Sequence, residues 1–371
     1  MRPALTARVG CGGGSCRGGD RGRLLGFERV ASHPTAADAR AYFDSWVEFY
    51  QDFYQFPADL PVDIDHGFDT YKVTYCTVDV APPGKRRPAP TAATGNVSVP
   101  RKAGPLDTVA YLHGTSVSFY DAPSNPNVFG ELSENGESFD GPPSSAIFAA
   151  SREVLRSLRV RRSGELFTFG FSQGGHAALA LQRALEKRRV EVTATAMVGG
   201  VLDIEPFFLS GIANTTTVTV PLYISYLLLA YDDIYDVYRR PADVFRQPYA
   251  ATVPGLFDMR HFFDDVLAGL PPTSRELLRA SFLRAVSGNP DHPLRVRLRQ
   301  NAVDRWRPDA PIRVYHSPDD EEVFFGGALV SVDRLRRRGA DVTVRTLPGF
   351  DHVNSWVQAM PRAARYFRTL D

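Results

Sequence analysis

The chain has 371 residues, of which 43 are Lys or Arg and 42 are Asp or Glu, so its formal net charge is +1 at pH 7. This length suits one large α/β domain with an inserted subdomain and allows a sizeable buried core. The balanced charge gives no reason to expect a nucleic-acid partner or an anionic membrane surface, and indicates a small partner without strong charge.

The first 32 residues are predicted to form a disordered, Gly-rich tail. The start, "MRPALTARVGCGGGSC", carries positive charge but lacks the apolar stretch of roughly seven or more residues that a secretory signal needs. Cys11, followed by three glycines, resembles the lipidated cysteine and tether of bacterial lipoproteins. A lipid anchor at Cys11 and a plain Gly-rich tail therefore stay open as alternatives, and the compartment (secreted or lipoprotein-anchored) stays uncertain.

The three cysteines, Cys11, Cys16 and Cys76, cannot all pair with one another, and Cys76 lies within a strand-like run. We therefore predict neither a disulfide framework nor a zinc site. The sequence contains no H-E-x-x-H, no P-loop and no G-x-G-x-x-G at a strand-to-helix junction. The chemistry is predicted to need no metal and no cofactor.

A helix is predicted over residues 35–54, where a capping threonine precedes apolar residues at helical spacing. Three strand-like segments follow, "YKVTYCTVDV", "TAATGNVSVP" and "DTVAYLHGT", and the last of them ends in His113 and Gly114.

Residues 166–185, "LFTFGFSQGGHAALALQRAL", change from strand periodicity to helix periodicity at a serine between glycines. The segment from Gly170 to Gly174 fits the G-x-S-x-G elbow, in which a strained strand-to-helix turn lifts a serine hydroxyl above the carboxyl edge of the sheet. The glycines are needed because backbone and helix approach too closely for a Cβ. Ser172 is the predicted nucleophile, and a plain glycine-rich turn is the alternative.

Strands alternate with helices through the rest of the chain, which predicts right-handed crossovers and a mostly parallel sheet. Residues 33–201 and 310–371 are predicted to form the core. Residues 202–309 are helical and too long for a plain connection, so we predict a cap over the active-site edge. The most apolar stretch, residues 218–235, is too short to span a bilayer and is predicted to be a buried helix.

A serine hydroxyl becomes a nucleophile only when a base takes its proton and a carboxylate orients that base. His352 follows the last strand and precedes the last helix, and is the predicted base. Asp320 is the predicted acid because Val323 follows it in a D-x-x-V pattern, with Asp319 in reserve. The alternative is that this acidic run only caps the helix beginning near Phe325.

The oxyanion of a tetrahedral intermediate needs two preorganised donors. The backbone N–H of Gln173, at the start of a helix, and that of Thr115, in the loop after the third strand, are the predicted donors. His176 is predicted to have a packing or capping role pointing away from the hydroxyl, and His316 a role at the surface or in the cap.

The motifs HGT, GFSQGG, DDEEV and GFDH occur in that order, and with them the chain resembles the α/β-hydrolase superfamily over roughly residues 71–370, apart from the cap. The APSN segment, the GFSQGGHAA elbow, the long helical cap and "NAVDRWRPDAP" make it similar to the secretory lipase group of bacteria and fungi. The resemblance implies a carboxylic-ester hydrolase, often exported, whose cap forms an acyl pocket. It implies Ser172, Asp320 and His352 as the catalytic triad.

One departure from that family concerns the sheet. The family has a fourth strand and its helix between the HGT loop and the elbow, but here the sequence supplies only the short "AIFAA" and then a helix. One βα unit, on the order of 30 residues or more, is missing, as if deleted between Ala149 and Ser151. Its loss is expected to break the sheet unless another strand moves into the gap.

The sequence thus predicts an α/β-hydrolase fold and a serine hydrolase that acts on a small hydrophobic ester through an acyl-enzyme. The apolar stripes of the predicted cap would serve equally well as acyl pocket or as cap core. Two alternatives stay open: a catalytically impaired binding or scaffold protein with the same fold, and a serine peptidase, which is disfavoured because no propeller-sized domain precedes the core.

Overall fold

The computed structural model describes residues 15–17, 19–54, 62–78, 89–118 and 145–370. The strands are β1 (Leu24–His33), β2 (Phe68–Val78), β3 (Pro90–Pro100), β4 (Leu106–Leu112), β5 (Arg162–Phe171), β6 (Ala194–Val198), β7 (Ile312–His316) and β8 (Val342–Thr346). The helices are α1 (Ala36–Tyr54), α2 (Ser145–Ser157), α3 (Gln173–Glu186), α4 (Ile204–Ala213), α5 (Val220–Tyr235), α6 (Pro241–Val244), α7 (Tyr249–Leu256), α8 (Phe263–Ala268), α9 (Ser274–Leu277), α10 (Ala280–Gly288), α11 (Pro293–Gln300), α12 (Phe325–Arg337) and α13 (His352–Phe367).

The strands form two sheets. Strands β4 to β8 make a five-stranded sheet in the order β4-β5-β6-β7-β8, and each neighbouring pair is parallel. Strands β1, β2 and β3 make a three-stranded antiparallel sheet. All five residues of β6 are buried, as expected for a central strand covered by helices on both faces. The predicted alternation of strands and helices in a mostly parallel sheet is confirmed.

The described residues contain no strand between β4 and β5, as expected if one βα unit is missing. Helix α2 leads directly into β5, and β5 pairs with β4. Within the described residues no ladder joins β3 to β4, so the sheet divides at the place where the missing strand would lie. Val109 and Tyr111, at alternate positions of β4, are 52% and 40% exposed. The strands on either side of β5, β4 and β6, both pair with it in parallel register.

The segment predicted as a disordered tail contains β1, so that prediction was wrong for its last nine residues. Strand β1 pairs with β2 in antiparallel register, with Phe27 opposite Val73. Both side chains are buried in a small core. Sequence periodicity missed β1 because its stability comes from pairing with a strand distant in sequence, with Leu24 opposite Tyr75 and His33 opposite Phe68.

The prediction that the cysteines do not pair was wrong as well. Cys16 and Cys76 form a disulfide across 60 positions of sequence. The backbone N–H of Gly22 donates a hydrogen bond to the carbonyl of Cys76, which brings the N-terminal segment against β2. Cys11 lies outside the described residues, so the lipid anchor stays a prediction.

Helices α4 to α11 occupy the chain between β6 and β7 and have a core of their own, built around side chains such as Phe208, Leu228 and Phe245. Asp203 precedes this block of helices and Asp304 follows it, and Arg334 of α12 forms ion pairs with both carboxylates. Both ends of this helical block are therefore tied to the core. No helix of the described residues is long and apolar enough to cross a membrane.

Candidate active site

Ser172 lies in the sharp turn between β5 and α3, and its backbone has φ 54° and ψ −122°. A non-glycine residue in this region is strained, and such strain concentrates at functional sites. A Cβ on Gly170 would lie 2.1 Å from the carbonyl oxygen of Gly174, and a Cβ on Gly174 would lie 1.9 Å from the carbonyl oxygen of Leu112. Only glycine fits at these two positions, so the turn has the geometry that the motif requires.

His352 is the first residue of α13 and is 5% exposed. Its Nδ1 lies 2.7 Å from Oδ2 of Asp320, which follows β7 and is 4% exposed. The imidazole also packs on the ring of Phe171, with 4.8 Å between ring centroids. The residue before Ser172 therefore touches the predicted base.

Asp320, and not Asp319, faces the imidazole. Oδ1 of Asp320 accepts hydrogen bonds from the backbone N–H groups of Glu322 and Val323, which fix the carboxylate. Asp319 is turned elsewhere, and its Oδ2 accepts a hydrogen bond of 2.7 Å from the backbone of Gly349. The N-cap residue of α12 is Phe324, which makes no side-chain cap bond. Capping does not account for the contact between Asp320 and His352, and a favourable charge effect of the other acidic residues on the start of α12 stays a prediction.

The pKa values of the pair move in opposite directions. Burial alone would lower the pKa of His352, but the charge and hydrogen bond of Asp320, with the charges of Glu322 and Asp351, raise it to about 9. Burial would raise the pKa of the Asp320 carboxyl, but the charge of His352 and hydrogen bonds from His316 and His352 hold it well below its usual range. The site therefore favours an imidazolium paired with a carboxylate.

His316 belongs to this site, although the sequence predicted a surface or cap role for it. It is the last residue of β7 and is fully buried. Its Nε2 donates a hydrogen bond of 2.8 Å to the carbonyl of Val323 and lies 3.3 Å from Oδ2 of Asp320. Its position at the end of a strand, four residues before the predicted acid, was the signal that could have identified it.

A cavity opens beside Ser172, and its empty space measures about 770 Å³ when the open mouth is included. Thr115, Gln173, His176 and Glu322 line it together with the serine. Its apolar lining consists of Val201, Ile204, Phe207, Leu227, Ala230 and Val323, and three tyrosines complete it, Tyr223, Tyr226 and Tyr231. Within the described residues no group of three or more His, Cys, Asp or Glu is arranged to hold a metal ion.

The two predicted oxyanion residues lie beside the serine. Gln173 follows it as the first residue of α3, and its side chain is hydrogen-bonded to the phenol of Tyr226. The HGT loop also approaches the turn, because a Cβ on Gly114 would lie 3.7 Å from Cβ of Ser172. Thr115, the next residue of this loop, lines the cavity.

Ser172 and His352 form no hydrogen bond with each other among the described contacts. Such bonds are often long in enzymes without substrate and tighten only in the complex. The structure brings Thr115, Ser172, Gln173, Asp320 and His352 to the carboxyl edge of the five-stranded sheet, since each follows the end of one of its strands. This edge is where open α/β sheets bind ligands.

Glu322 is a second residue of the site that the sequence analysis missed. Its Oε2 lies 3.8 Å from Nε2 of His352, on the side of the imidazole opposite Asp320. Tyr223 donates a hydrogen bond of 2.8 Å to Oε2, and Thr219 donates one of 3.2 Å to Oε1. The D-x-x-V pattern selects Asp320 but does not show where the intervening side chains point.

The fold is shared with proteins of known structure. A ligand-bound form of the rice cell wall degrading esterase LipA from Xanthomonas oryzae aligns with a TM-score of 0.74 at 22% identity, over 94% of this chain and 97% of that one. A candidate hydrolase from Legionella pneumophila aligns with a TM-score of 0.77 at 19% identity, over 94% and 98% of the two chains. This chain has the α/β-hydrolase fold.

Candida antarctica lipase A in its closed state has the α/β-hydrolase fold too, and aligns with a TM-score of 0.64 at 15% identity, over 94% of this chain and 82% of the lipase. A scan of protein-family models and a search of curated protein sequences find no match to the chain. At these identities the likeness establishes the α/β-hydrolase fold and assigns no role to individual residues.

Proposed function

We propose that this protein is a serine carboxylic-ester hydrolase that acts through an acyl-enzyme. Ser172 is the nucleophile, His352 the general base and acid, and Asp320 the carboxylate that orients the imidazole. The backbone N–H groups of Thr115 and Gln173 stabilise the oxyanion. The chain shares its fold with an esterase and a lipase, and the proposal adds a role for each of these residues.

The observation that carries the proposal is the pairing of a buried histidine with a buried carboxylate next to a strained serine. The 2.7 Å contact between His352 and Asp320 fixes the ring, with Nδ1 toward the acid and Nε2 on the opposite side. The ring packs on Phe171, the residue before the serine. A histidine oriented in this way is what a serine nucleophile requires.

The reaction balances with these groups alone. The Ser172 oxygen forms a bond to the ester carbonyl carbon as His352 takes the hydroxyl proton, and collapse of the tetrahedral intermediate breaks the carbon–oxygen bond of the ester. The imidazolium gives its proton to the leaving alcohol. Water then attacks the acyl-enzyme, His352 takes a proton from the water, and it returns this proton to Ser172 as the acid leaves.

The cavity supports a small hydrophobic ester as substrate, because apolar side chains and tyrosines make up most of its lining. The helices that supply much of this lining, α4 and α5, belong to the block between β6 and β7 that the sequence predicts as a cap. A catalytically impaired binding protein is the alternative of a different class, and the divided sheet is the feature that favours it. A serine peptidase on the same fold is the other alternative.

Labelling with a fluorophosphonate probe tests the proposal without knowledge of the natural substrate. We expect stoichiometric labelling of the wild type at Ser172, no labelling of Ser172→Ala, and hydrolysis of p-nitrophenyl butyrate by the wild type only. Circular dichroism and gel filtration of both proteins serve as the folding control. Folded, monodisperse wild-type protein that neither labels nor hydrolyses the ester would support the binding protein instead.

A further inference from the structure

We propose that Glu322 makes the cavity selective for esters whose alcohol part carries an organic cation, of the quaternary ammonium type. This inference rests on the proposed ester hydrolase function and names the substrate class of the same site. Three features carry it: the charge balance of the cavity, the position of Glu322 relative to the leaving group, and the tyrosines around it.

The charge balance of the lining is negative. Glu322 is the one carboxylate among the described lining residues, and none of them is Lys or Arg. His176 does not compensate, because burial lowers its pKa to about 4 despite a hydrogen bond to the carbonyl of Val201. Asp320 balances the imidazolium of His352, so Glu322 leaves this group of three with one excess negative charge. In a cavity of low polarity that charge attracts a cation and excludes an anion.

The carboxylate of Glu322 is held in place and remains available to a ligand. The hydroxyls of Tyr223 and Thr219 donate one hydrogen bond to each of its oxygens. The distance of 3.8 Å between Oε2 of Glu322 and Nε2 of His352 is longer than a hydrogen bond. The imidazole therefore does not occupy the carboxylate as a hydrogen-bond donor. The side chain is 19% exposed, and it borders the cavity.

The position of Glu322 indicates the part of the substrate that it would meet. Nε2 of His352 gives its proton to the leaving alcohol, so the alcohol oxygen of a bound ester must lie near this atom. A carboxylate 3.8 Å from the same atom therefore faces the alcohol part. A cation joined to that oxygen by two carbons, as in a choline ester, would reach Glu322.

Aromatic rings complete the site. Tyr223, Tyr226 and Tyr231 line the cavity with Glu322. Aromatic faces attract organic cations, and a quaternary ammonium group presents methyl surface that suits an apolar lining. A compact, strongly hydrated cation would lose more hydration on entry and gain fewer contacts. The combination favours a trimethylammonium group over a metal ion or a primary amine.

The test compares two thioesters of equal shape, butyrylthiocholine and its uncharged isostere S-(3,3-dimethylbutyl) thiobutyrate, through the thiol that each releases. We expect the wild type to prefer the cationic thioester by about tenfold in kcat/KM. Glu322→Gln should reduce this ratio to about one. Because both thioesters use the same histidine, any effect of the substitution on that base cancels in the ratio.

Glu321→Gln is the matched control, since it removes a neighbouring charge from an exposed side chain and should leave the ratio unchanged. Inhibition of p-nitrophenyl butyrate hydrolysis by phenyltrimethylammonium provides a second measurement in the wild type, independent of variant folding. A wild-type ratio near one, with p-nitrophenyl butyrate still hydrolysed, would overturn the selectivity and leave the ester hydrolase standing. Loss of all hydrolysis and of fluorophosphonate labelling would overturn both.

Discussion

Nδ1 of His352 lies 2.7 Å from Oδ2 of Asp320, although 32 positions separate the two residues in sequence. The contact joins the segments that follow the last two parallel strands. Because it occupies Nδ1, it leaves Nε2 of the imidazole for the nucleophile. Both side chains are nearly excluded from solvent, so their interaction is weakly screened.

The adjacent aspartates can be distinguished by substitution. Asp320→Asn should lower kcat by about 10⁴-fold, because an amide cannot stabilise the imidazolium and favours the wrong tautomer. Asp319→Asn should lower kcat by less than about tenfold, since the Asp319 carboxylate accepts a hydrogen bond from the backbone of Gly349, whereas Asp320 is the aspartate bonded to the imidazole. Steady-state kinetics on p-nitrophenyl butyrate measures both. Equal losses in the two variants would contradict the assignment.

The pH profile should reveal the raised pKa of His352. The base works only when it is unprotonated, so a pKa raised to about 9 moves the acidic limb of kcat/KM above the usual histidine value of about 6.5. Glu322→Gln should move the limb down, because the charge of Glu322 contributes to the shift. A wild-type limb at or below pH 6.5 would show that the free enzyme does not hold the imidazolium in this way.

The disulfide between Cys16 and Cys76 should stabilise the fold by reducing the conformational entropy of the unfolded chain. For a loop of 60 residues the expected contribution is about 4 kcal/mol. Cys16→Ser should therefore lower Tm by about 5 °C in differential scanning calorimetry. Cys11→Ser is the matched control and should leave Tm unchanged. A Tm for Cys16→Ser equal to that of the wild type would argue that the bond contributes nothing.

Gly174 should not tolerate a side chain. In Gly174→Ala the new Cβ would lie 1.9 Å from the carbonyl oxygen of Leu112, a backbone atom that cannot move without disturbing β4. We expect a loss of about 3 kcal/mol or more in the free energy of unfolding, measured by urea denaturation. Gly288→Ala, where a Cβ meets nothing within 4 Å, should be neutral or slightly stabilising. A neutral Gly174→Ala would mean that the turn is looser than described.

Arg334 should be important for the attachment of the helical block to the core. It pairs with Asp203 and Asp304, and Arg334→Met would leave two buried carboxylates without this cation. We expect a loss of about 3 kcal/mol in the free energy of unfolding. Arg337→Met breaks an exposed pair with Asp333 on the same helix and should cost less than about 1 kcal/mol. Similar losses for both would show that burial of the pair is not decisive.

The sequence was most informative where the cause of structure is local. The turn around Ser172 could be predicted because the steric need for Gly170 and Gly174 acts within a few residues. The parallel sheet followed from alternating periodicities that need no knowledge of distant contacts, and the missing βα unit was predicted from the comparison with the family that the chain resembles. The parallel sheet is confirmed, whereas the missing βα unit and the roles of Ser172, Asp320 and His352 stay predictions.

Tertiary structure decided what depends on residues far apart in the chain. The pairing of β1 with β2, the disulfide from Cys16 and the contact of His316 with Asp320 were all missed or predicted wrongly. The same holds for Glu322, whose carboxylate meets His352 only because two loops converge at one sheet edge. Local propensity and the steric limits of a turn depend on residues that are close in sequence. Strand pairing and the convergence of distant side chains depend on how the whole chain packs.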